Sequence, residues 1–429
     1  MATISLPYDS KGPVALDVPD HRLAWVAQPG HPARPFNSSE EIIRDALAHP
    51  IGSPRLRELV GRSQTVAVIV DDVTRPTPVA QLVPHVLQEL AEAGVPEKNI
   101  RLVVALGTHR VMSPEEIRQR YGALSPGITV VNEDYRNTRS FVTVGTGLQG
   151  EPINVLRAVA EADVKVGIGN IVPHLYAGWG GGAKIIQPGV CDEVTTEATH
   201  TLGVMNEQVL NLCTNPENIV RHEIEHIAAK VGLDFIVNTV LDEHKEIIRV
   251  FAGHFIKAHR AGVEFAEQVY RPTVPELVDI VVTTAYPSQI DYWQGIKGLV
   301  HAQYGLKPGG VTVFAMAATE GLAGGNEKHT KTILEWGPQS EEAIRQGITD
   351  RKSPDLIAMA FCLSHAQMMS RSTVICYSTG IDSATLAHLG FRPASSLDDA
   401  LKQAWELTGA NAQVGVMTYA GIALRYQGQ

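Results

Sequence analysis

Cysteine is scarce in this sequence and never paired. Cys191, Cys213, Cys362 and Cys376 are the only four in 429 residues, with no C-x-x-C among them. That spacing excludes a disulfide frame and a thiolate zinc cage, and it points to a reducing compartment. Positive charge is also in short supply: 36 Lys and Arg against 46 Asp and Glu leave −10, without a block of like charge. Neither a nucleic-acid backbone nor an anionic membrane is therefore an expected partner. No apolar run approaches the roughly 18 residues of a membrane span. The opening Met1-Ala2-Thr3-Ile4-Ser5-Leu6 lacks the basic-then-apolar pattern of a secretory leader, so a cytoplasmic protein is expected. Fixed-period repeats and low-complexity tracts are missing as well.

What is present is an ordinary globular composition, long enough for two or three domains at roughly 150 residues each. Short β-branched runs alternate with helix-length segments, as βαβ units do. Thr65–Val70 ends at Asp71-Asp72, Arg101–Leu106 ends at Gly107-Thr108-His109, and Val164–Ile168 ends at Gly169-Asn170. Such continuous apolar strands are covered on both faces, which predicts mainly parallel sheets. Helices are expected over 79–93 and 114–121, the second announced by Ser113-Pro114-Glu115-Glu116. A second series of strands begins near Val278, after Arg271-Pro272-Thr273-Val274-Pro275 breaks a helical stretch over 254–270. The fold class is thus α/β, with two α/β domains facing a central cleft. Their expected spans are 1–272 and 273–405, with 406–429 packing back on the first.

Ligands of open α/β sheets bind beyond the carboxyl ends of the strands, so the residues found there are the first candidates. The first strand delivers Asp72, Thr74 and Arg75, a carboxylate, a hydroxyl and a guanidinium suited either to a turn with an internal ion pair or to holding hydroxyls and an anion. The next strand ends reach His109 and His174, two imidazoles able to take and return protons near neutral pH. Directly after His174, Gly178-Trp179-Gly180-Gly181-Gly182-Ala183-Lys184 resembles a phosphate loop, but Ala183 precedes the lysine and no Ser or Thr follows it. The Gly run would let backbone approach a flat ligand and present Lys184 to it. Further on, Gln294 and Lys297 would share one side of a helix near its N-terminus. His222-Glu223-Ile224-Glu225-His226 matches H-E-x-x-H, although Ile219, Val220, Ile227 and Val231 give it an ordinary amphipathic stripe.

In their order and spacing, Asp72-x-x-Arg75, Gly107-Thr108-His109, Pro173-His174, Gly180-Gly181-Gly182-Ala183-Lys184, His200 and Gln294-x-x-Lys297 resemble the nickel-dependent lactate racemase family over nearly the whole chain. The resemblance implies a two-domain α/β isomerase that racemises or epimerises 2-hydroxy acids. Its cofactor would be a nickel pincer nucleotide, the nickel complex of pyridinium-3,5-bisthiocarboxylic acid mononucleotide. On that resemblance Lys184 is the covalent tether, with Gly181 and Gly182 lining the cofactor, and His200 is the nickel ligand. Asp72 and Arg75 hold the nucleotide, and His109 and His174 are the proton donors and acceptors. Arg75, Gln294, Lys297, Tyr292 and Trp293 contact the substrate. Cofactor-biosynthesis proteins would be transient partners.

Those roles suit the chemistry. Removing the C2 hydrogen of a 2-hydroxy acid as a proton would set two negative charges side by side; removing it as hydride avoids this. The resemblance departs at one place. The family's lactate racemases carry a Trp near a Pro-Asp turn of the second domain, and Ser353-Pro354-Asp355-Leu356 has none. A smaller wall implies a larger acid, such as malate, an aromatic 2-hydroxy acid or a sugar acid such as gluconate. The alternatives are a zinc hydrolase using His222, Glu223 and His226, and a non-catalytic nucleotide-binding relative. NAD-dependent dehydrogenation is disfavoured because no G-x-G-x-x-G follows the first strands.

Overall fold

The computed structural model describes residues 1–34, 36 and 38–426. Two compact units divide the chain. Residues 31–202 and 215–266 form the first, and residues 1–30, 203–214 and the chain from 267 onward form the second. No helix among the described residues is long and apolar enough to cross a membrane.

A six-stranded sheet organises the first unit, in the order Thr129–Val131, Ile100–Ala105, Val66–Asp71, Val164–Asn170, Phe235–Leu241, Ile247–Gly253. Only the last pair is antiparallel. Val66 to Val70 are all fully buried, as strands covered on both faces must be. Helix Val79–Glu92 presents Val79, Leu82, Val83, Val86 and Leu90 at helical spacing to that sheet. Each such side chain contributes about 1.5–3 kcal/mol when buried. Helix Pro114–Tyr121 begins with the expected Ser113–Glu116 capping box.

The second unit is also organised by a six-stranded sheet, this one all parallel: Arg392–Ala394, Thr373–Ser378, Leu306–Met316, Val278–Thr284, Val414–Met417, Leu23–Ala27. Here the expected domain limits need correction. Leu23–Ala27 pairs with Val414–Met417, and the hairpin Ala2–Asp9 with Gly12–Val18 turns Leu6, Tyr8, Leu16 and Val18 onto the core of this sheet. Residues 1–30 therefore do not belong to the domain that follows them. The C-terminal segment lies in the second unit too, with Val414–Met417 inside its sheet and Arg425–Tyr426 paired with Thr273–Val274. A contiguous reading fails because this sheet is completed by strands from both ends of the chain.

Candidate functional site

In the first unit, strands added after Val66–Asp71 go to one side of it and those from Val164 onward to the other. The switch point lies between Val66–Asp71 and Val164–Asn170, and ligands of such sheets bind beyond the carboxyl ends at this point. Asp71 and Asn170 close these two strands and Asp72 follows the first. Thr77 Oγ1 donates to Asp71 Oδ2 at 2.6 Å and to Asn170 Oδ1 at 3.3 Å, tying the two strand ends together.

Asp72 is buried beside this junction. Nδ1 of His109 donates to its Oδ2 at 2.7 Å, while its Oδ1 accepts from Thr74 Oγ1 at 2.6 Å and Thr74 N at 3.2 Å. Burial alone would raise the Asp72 carboxyl, but the charges of His109 and Arg75 and the hydrogen bonds from His109 and Thr74 outweigh it and hold it at about 2. Its neighbour Asp71 goes the other way, raised by burial that Thr77 and Arg75 only partly offset. Because Asp72 takes the Nδ1 hydrogen, the neutral His109 ring carries its lone pair on Nε2, as a general base requires. Asp72, expected from the resemblance to hold a nucleotide, thus also orients His109.

His174 is held in the opposite sense. Its Nδ1 accepts from the backbone N–H groups of Tyr176 and Ala177, both at 3.2 Å, so in the neutral ring the hydrogen sits on Nε2. The Tyr176 ring meets His174 edge-on at 6.1 Å and His200 at 5.5 Å, joining the two imidazoles in one aromatic cluster. In helix Glu193–Asn206, Nδ1 of His200 donates to the Thr196 carbonyl at 2.9 Å. That bond fixes the tautomer with the lone pair on Nε2, the form that ligates a metal.

Lys184 is half-buried on the short 3-10 turn Gly182–Ile185. Gly182 N donates to Asn238 Oδ1 at 2.6 Å, and His259 Nε2 donates to the Gly180 carbonyl at 2.9 Å. Gly181 and Gly182 take φ of +73° and +60°. A Cβ on the first would lie 2.7 Å from Asn238 Oδ1, and one on the second 2.9 Å from the His259 ring. These glycines thus let the turn pass between two protein groups, a packing task beside the cofactor role expected for them. Fully buried Arg221 completes the brace, with Nε donating to Ala177 O at 3.1 Å, Nη1 to Gly181 O at 3.4 Å and Nη2 to Trp179 O. Gly107 N donates to Gly189 O at 2.9 Å, which fastens the His109 turn to the segment leaving Lys184.

Arg221 belongs to helix Ile219–Val231, the one that carries H-E-x-x-H. His222 is exposed and His226 half-buried; His222 Nε2 faces Glu217 at 3.1 Å and His226 Nε2 donates to Thr146 O at 3.2 Å. Among the described residues no three His, Cys, Asp or Glu are grouped as metal ligands. The zinc expectation is therefore not met: this helix serves the site through Arg221.

In the second unit, helix Tyr292–Ala302 is capped by Asp291, whose Oδ1 accepts from Gln294 N at 2.7 Å. Lys297 Nζ donates to Gln294 Oε1 at 2.8 Å, so these two side chains do stand together as expected. The expected substrate contact fails for Tyr292, and Trp293 keeps only its ring edges free of stacking. Tyr292 is fully buried between Phe361 and Phe391, its hydroxyl donating to His365 Nδ1 at 2.6 Å, while His365 Nε2 donates to Leu389 O. Trp293 is stacked between Phe361 at 4.8 Å and His329 at 4.5 Å, and Asp355 accepts from His329 at 2.6 Å. Tyr292 thus packs in the core and both faces of Trp293 are covered, so neither presents a ring face to a substrate. Tyr176, Arg221, Asn238 and His259 were not read from the sequence, whereas the Thr74 hydroxyl was; of the four, only Tyr176, two residues beyond His174, carried a local signal.

Residues 8–211 match the lactate racemase N-terminal domain and residues 274–424 the lactate racemase C-terminal domain. A lactate racemase of Thermoanaerobacterium thermosaccharolyticum is 28% identical over 97% of each chain, and one of Lactiplantibacillus plantarum is 28% identical over 97% of this chain and 98% of its own. The lactate racemase apoprotein structure from T. thermosaccharolyticum superposes with a TM-score of 0.88 at 26% identity, covering 99% of this chain and 100% of that one. A Thermotoga maritima protein shares the fold at a TM-score of 0.71 and 19% identity, over 91% of this chain and 98% of its own. With both family domains matched in order and a relative aligned from end to end, the chain belongs to the lactate racemase family.

Proposed function

We propose that this protein racemises or epimerises a 2-hydroxy acid at C2, carrying a nickel pincer nucleotide joined to Lys184 and ligated through nickel by His200. The observation that carries the reading is the His200 ring: its Nδ1 is committed to the Thr196 carbonyl, and no three protein ligands gather anywhere among the described residues. One imidazole with its lone pair set on Nε2 fits a metal whose other donors come from a small molecule. When bound, the nucleotide supplies a pyridinium that takes the C2 hydrogen as hydride and returns it.

The chain's own residues handle the proton. His109 Nε2 accepts it from the substrate hydroxyl, and the Asp72 carboxylate across the ring stabilises the imidazolium that results. His174, with hydrogen on Nε2, starts as donor to the substrate oxygen. Arg75, Gln294 and Lys297 are assigned to the substrate, a cationic group answering its carboxylate. The relatives' names attach to lactate, and the missing Trp at Pro354-Asp355 favours a larger acid. Lys184 and His200 make the reading testable by mass and by metal. Protein co-produced with the cofactor's biosynthetic enzymes should carry an adduct that Lys184→Ala loses, and His200→Ala should keep the adduct while losing nickel. An unchanged adduct in the first variant sinks the assignment. A panel of chiral 2-hydroxy acids from lactate to gluconate identifies the substrate.

A further inference from the structure

Three residues beyond Lys184 stands Gln187, a fully buried amide that the racemase reading leaves without a task. Its Nε2 donates to Thr199 Oγ1 at 2.6 Å and to the Thr195 carbonyl at 3.4 Å, so it leaves the segment that carries Lys184 and lands on helix Glu193–Asn206. Thr199 is the residue directly before His200. We propose that Gln187 is a positioning residue, which holds the Lys184 turn and the His200 helix at a fixed spacing for the cofactor that both residues grip. The role rests on the racemase reading, because only there do the two side chains share a ligand.

The bonds form a short chain that ends at the His200 ring. Gln187 Nε2 occupies a lone pair of Thr199 Oγ1, whose own hydrogen goes to the Thr196 carbonyl at 3.0 Å. That carbonyl is the one that takes the Nδ1 hydrogen of His200 at 2.9 Å. The Thr195 carbonyl fixes which end of the amide faces the helix, since the amide oxygen in that place would meet another oxygen. Neighbouring bonds serve other ends. Backbone groups after Lys184 stay within their own turn: Gln187 N donates to Ala183 O at 3.2 Å, Gly189 N to Lys184 O at 3.3 Å and Val190 N to Ile186 O at 2.9 Å. Asp192 secures the start of the helix to strand Pro152–Leu156 instead, its Oδ1 accepting from Thr195 N at 2.9 Å and its Oδ2 from Asn154 Nδ2 at 2.9 Å.

Stability does not account for the amide. Gln187 Oε1 is buried with no hydrogen-bond partner among the described residues, and so is Thr196 Oγ1. A buried oxygen left unpaired costs at least as much as a hydrogen bond returns, so an apolar side chain of the same shape would serve the fold as well. What an apolar residue does not supply is a directed tie between two segments. A ligand held by a covalent bond at one end and a metal bond at the other loses affinity to any slack between its anchors. Groups that set a metal ligand from behind are worth about 10- to 100-fold in metal affinity.

The test uses full-length protein co-produced with the cofactor's biosynthetic enzymes. Adduct is read by intact mass and nickel by metal analysis during exposure to a chelator, and the thermal midpoint is taken on the cofactor-free protein. Gln187→Met keeps the shape and removes the tie. It should carry the wild-type adduct, lose nickel about tenfold faster and keep its midpoint. Thr199→Val cuts the same bond from the helix side and should also lose nickel faster, with the double variant no worse than the poorer single one. Thr199→Ser, which retains the hydroxyl, should hold nickel as wild type does. Wild-type nickel retention in both Gln187→Met and Thr199→Val overturns the proposal. So does a faster loss in Gln187→Met that comes with a lowered midpoint, which would make the amide a brace of the fold. Failure of the racemase reading looks different: wild type itself then carries neither adduct nor nickel, and the proposal falls with it.

Discussion

Beyond strand Val66–Asp71 the side chains of Asp72, Thr74 and His109 bond to one another around an imidazole that keeps 20% of its surface exposed. Beyond strand Val278–Thr284 the ring of Tyr292 is sealed among Phe361, His365 and Phe391. Both sets follow an apolar strand, and by position alone they are equally good ligand contacts. Chemistry separates them. A carboxylate and an imidazole recover their desolvation only by finding partners, so they stay near a polar rim, whereas an aromatic ring gains by leaving it. In this fold a strand-end position marks a site for charged and hydroxyl groups, and it carries little information for aromatics.

The sharpest way to break this contrast is at His109. His109→Ala should lower kcat about 10²- to 10⁴-fold, the range for loss of a general base, while the thermal midpoint stays put because the ring is only partly buried. Racemisation within a few-fold of wild type would remove the contrast, since the polar cluster would then be as structural as the aromatic one. Asp72→Asn should cost less, about 10- to 100-fold in kcat, because the ring remains but its orienting charge is gone. Asp72 acts through His109, so the diagnostic is the pH profile. Held at about 2 against an ordinary 3.8, the wild-type carboxylate keeps its charge as pH falls through the usual carboxyl range. Its contribution to stability is present above that range and is lost only as pH falls toward 2. The variant should lose the acid limb that this charge supports, and an identical profile would sink the assignment. On the other side of the comparison, Tyr292→Phe should leave kcat and KM unchanged and lower stability by about 1–3 kcal/mol, because His365 Nδ1 loses its buried donor. A shift in KM with unaltered stability would return Tyr292 to the substrate.

Much of the first unit was legible because its information is local. The runs 65–70, 101–106 and 164–168 became strands, and Ser113 to Glu116 became a capping box. The polar residues after those strands fell at the switch point that parallel topology creates. The second unit was misread at its edges because pairing Leu23–Ala27 with Val414–Met417 spans almost the whole chain, and no local pattern encodes it. The tautomers of His109, His174 and His200 depend on acceptors and donors supplied by the surrounding fold. Arg221 was hidden in plain view: the H-E-x-x-H match drew attention to the histidines beside it, while its own side chain reached three carbonyls of the Gly loop.

The smallest effect asks whether that helix serves the site through one face only. Three residues from Arg221's neighbour Val220, Glu223 is fully buried and accepts from Leu148 N at 3.1 and 3.3 Å, with Glu151 beside it. Burial first, and the charge of Glu151 second, push the Glu223 carboxyl upward toward neutrality. An acid whose folded value lies above its unfolded one takes up a proton on folding, so it favours the fold most below the ordinary carboxyl range. That contribution is lost as pH climbs from there to neutrality. Glu223→Gln should therefore flatten the decline of the thermal midpoint over this interval by on the order of 2 °C, while leaving racemisation unchanged. Were the slope to persist, the Glu151–Glu223 pair would not be its source. Were kcat to fall with the slope, the two faces of helix Ile219–Val231 would be coupled, and the division between residues that hold the fold and residues that hold the site would fail within a single helix.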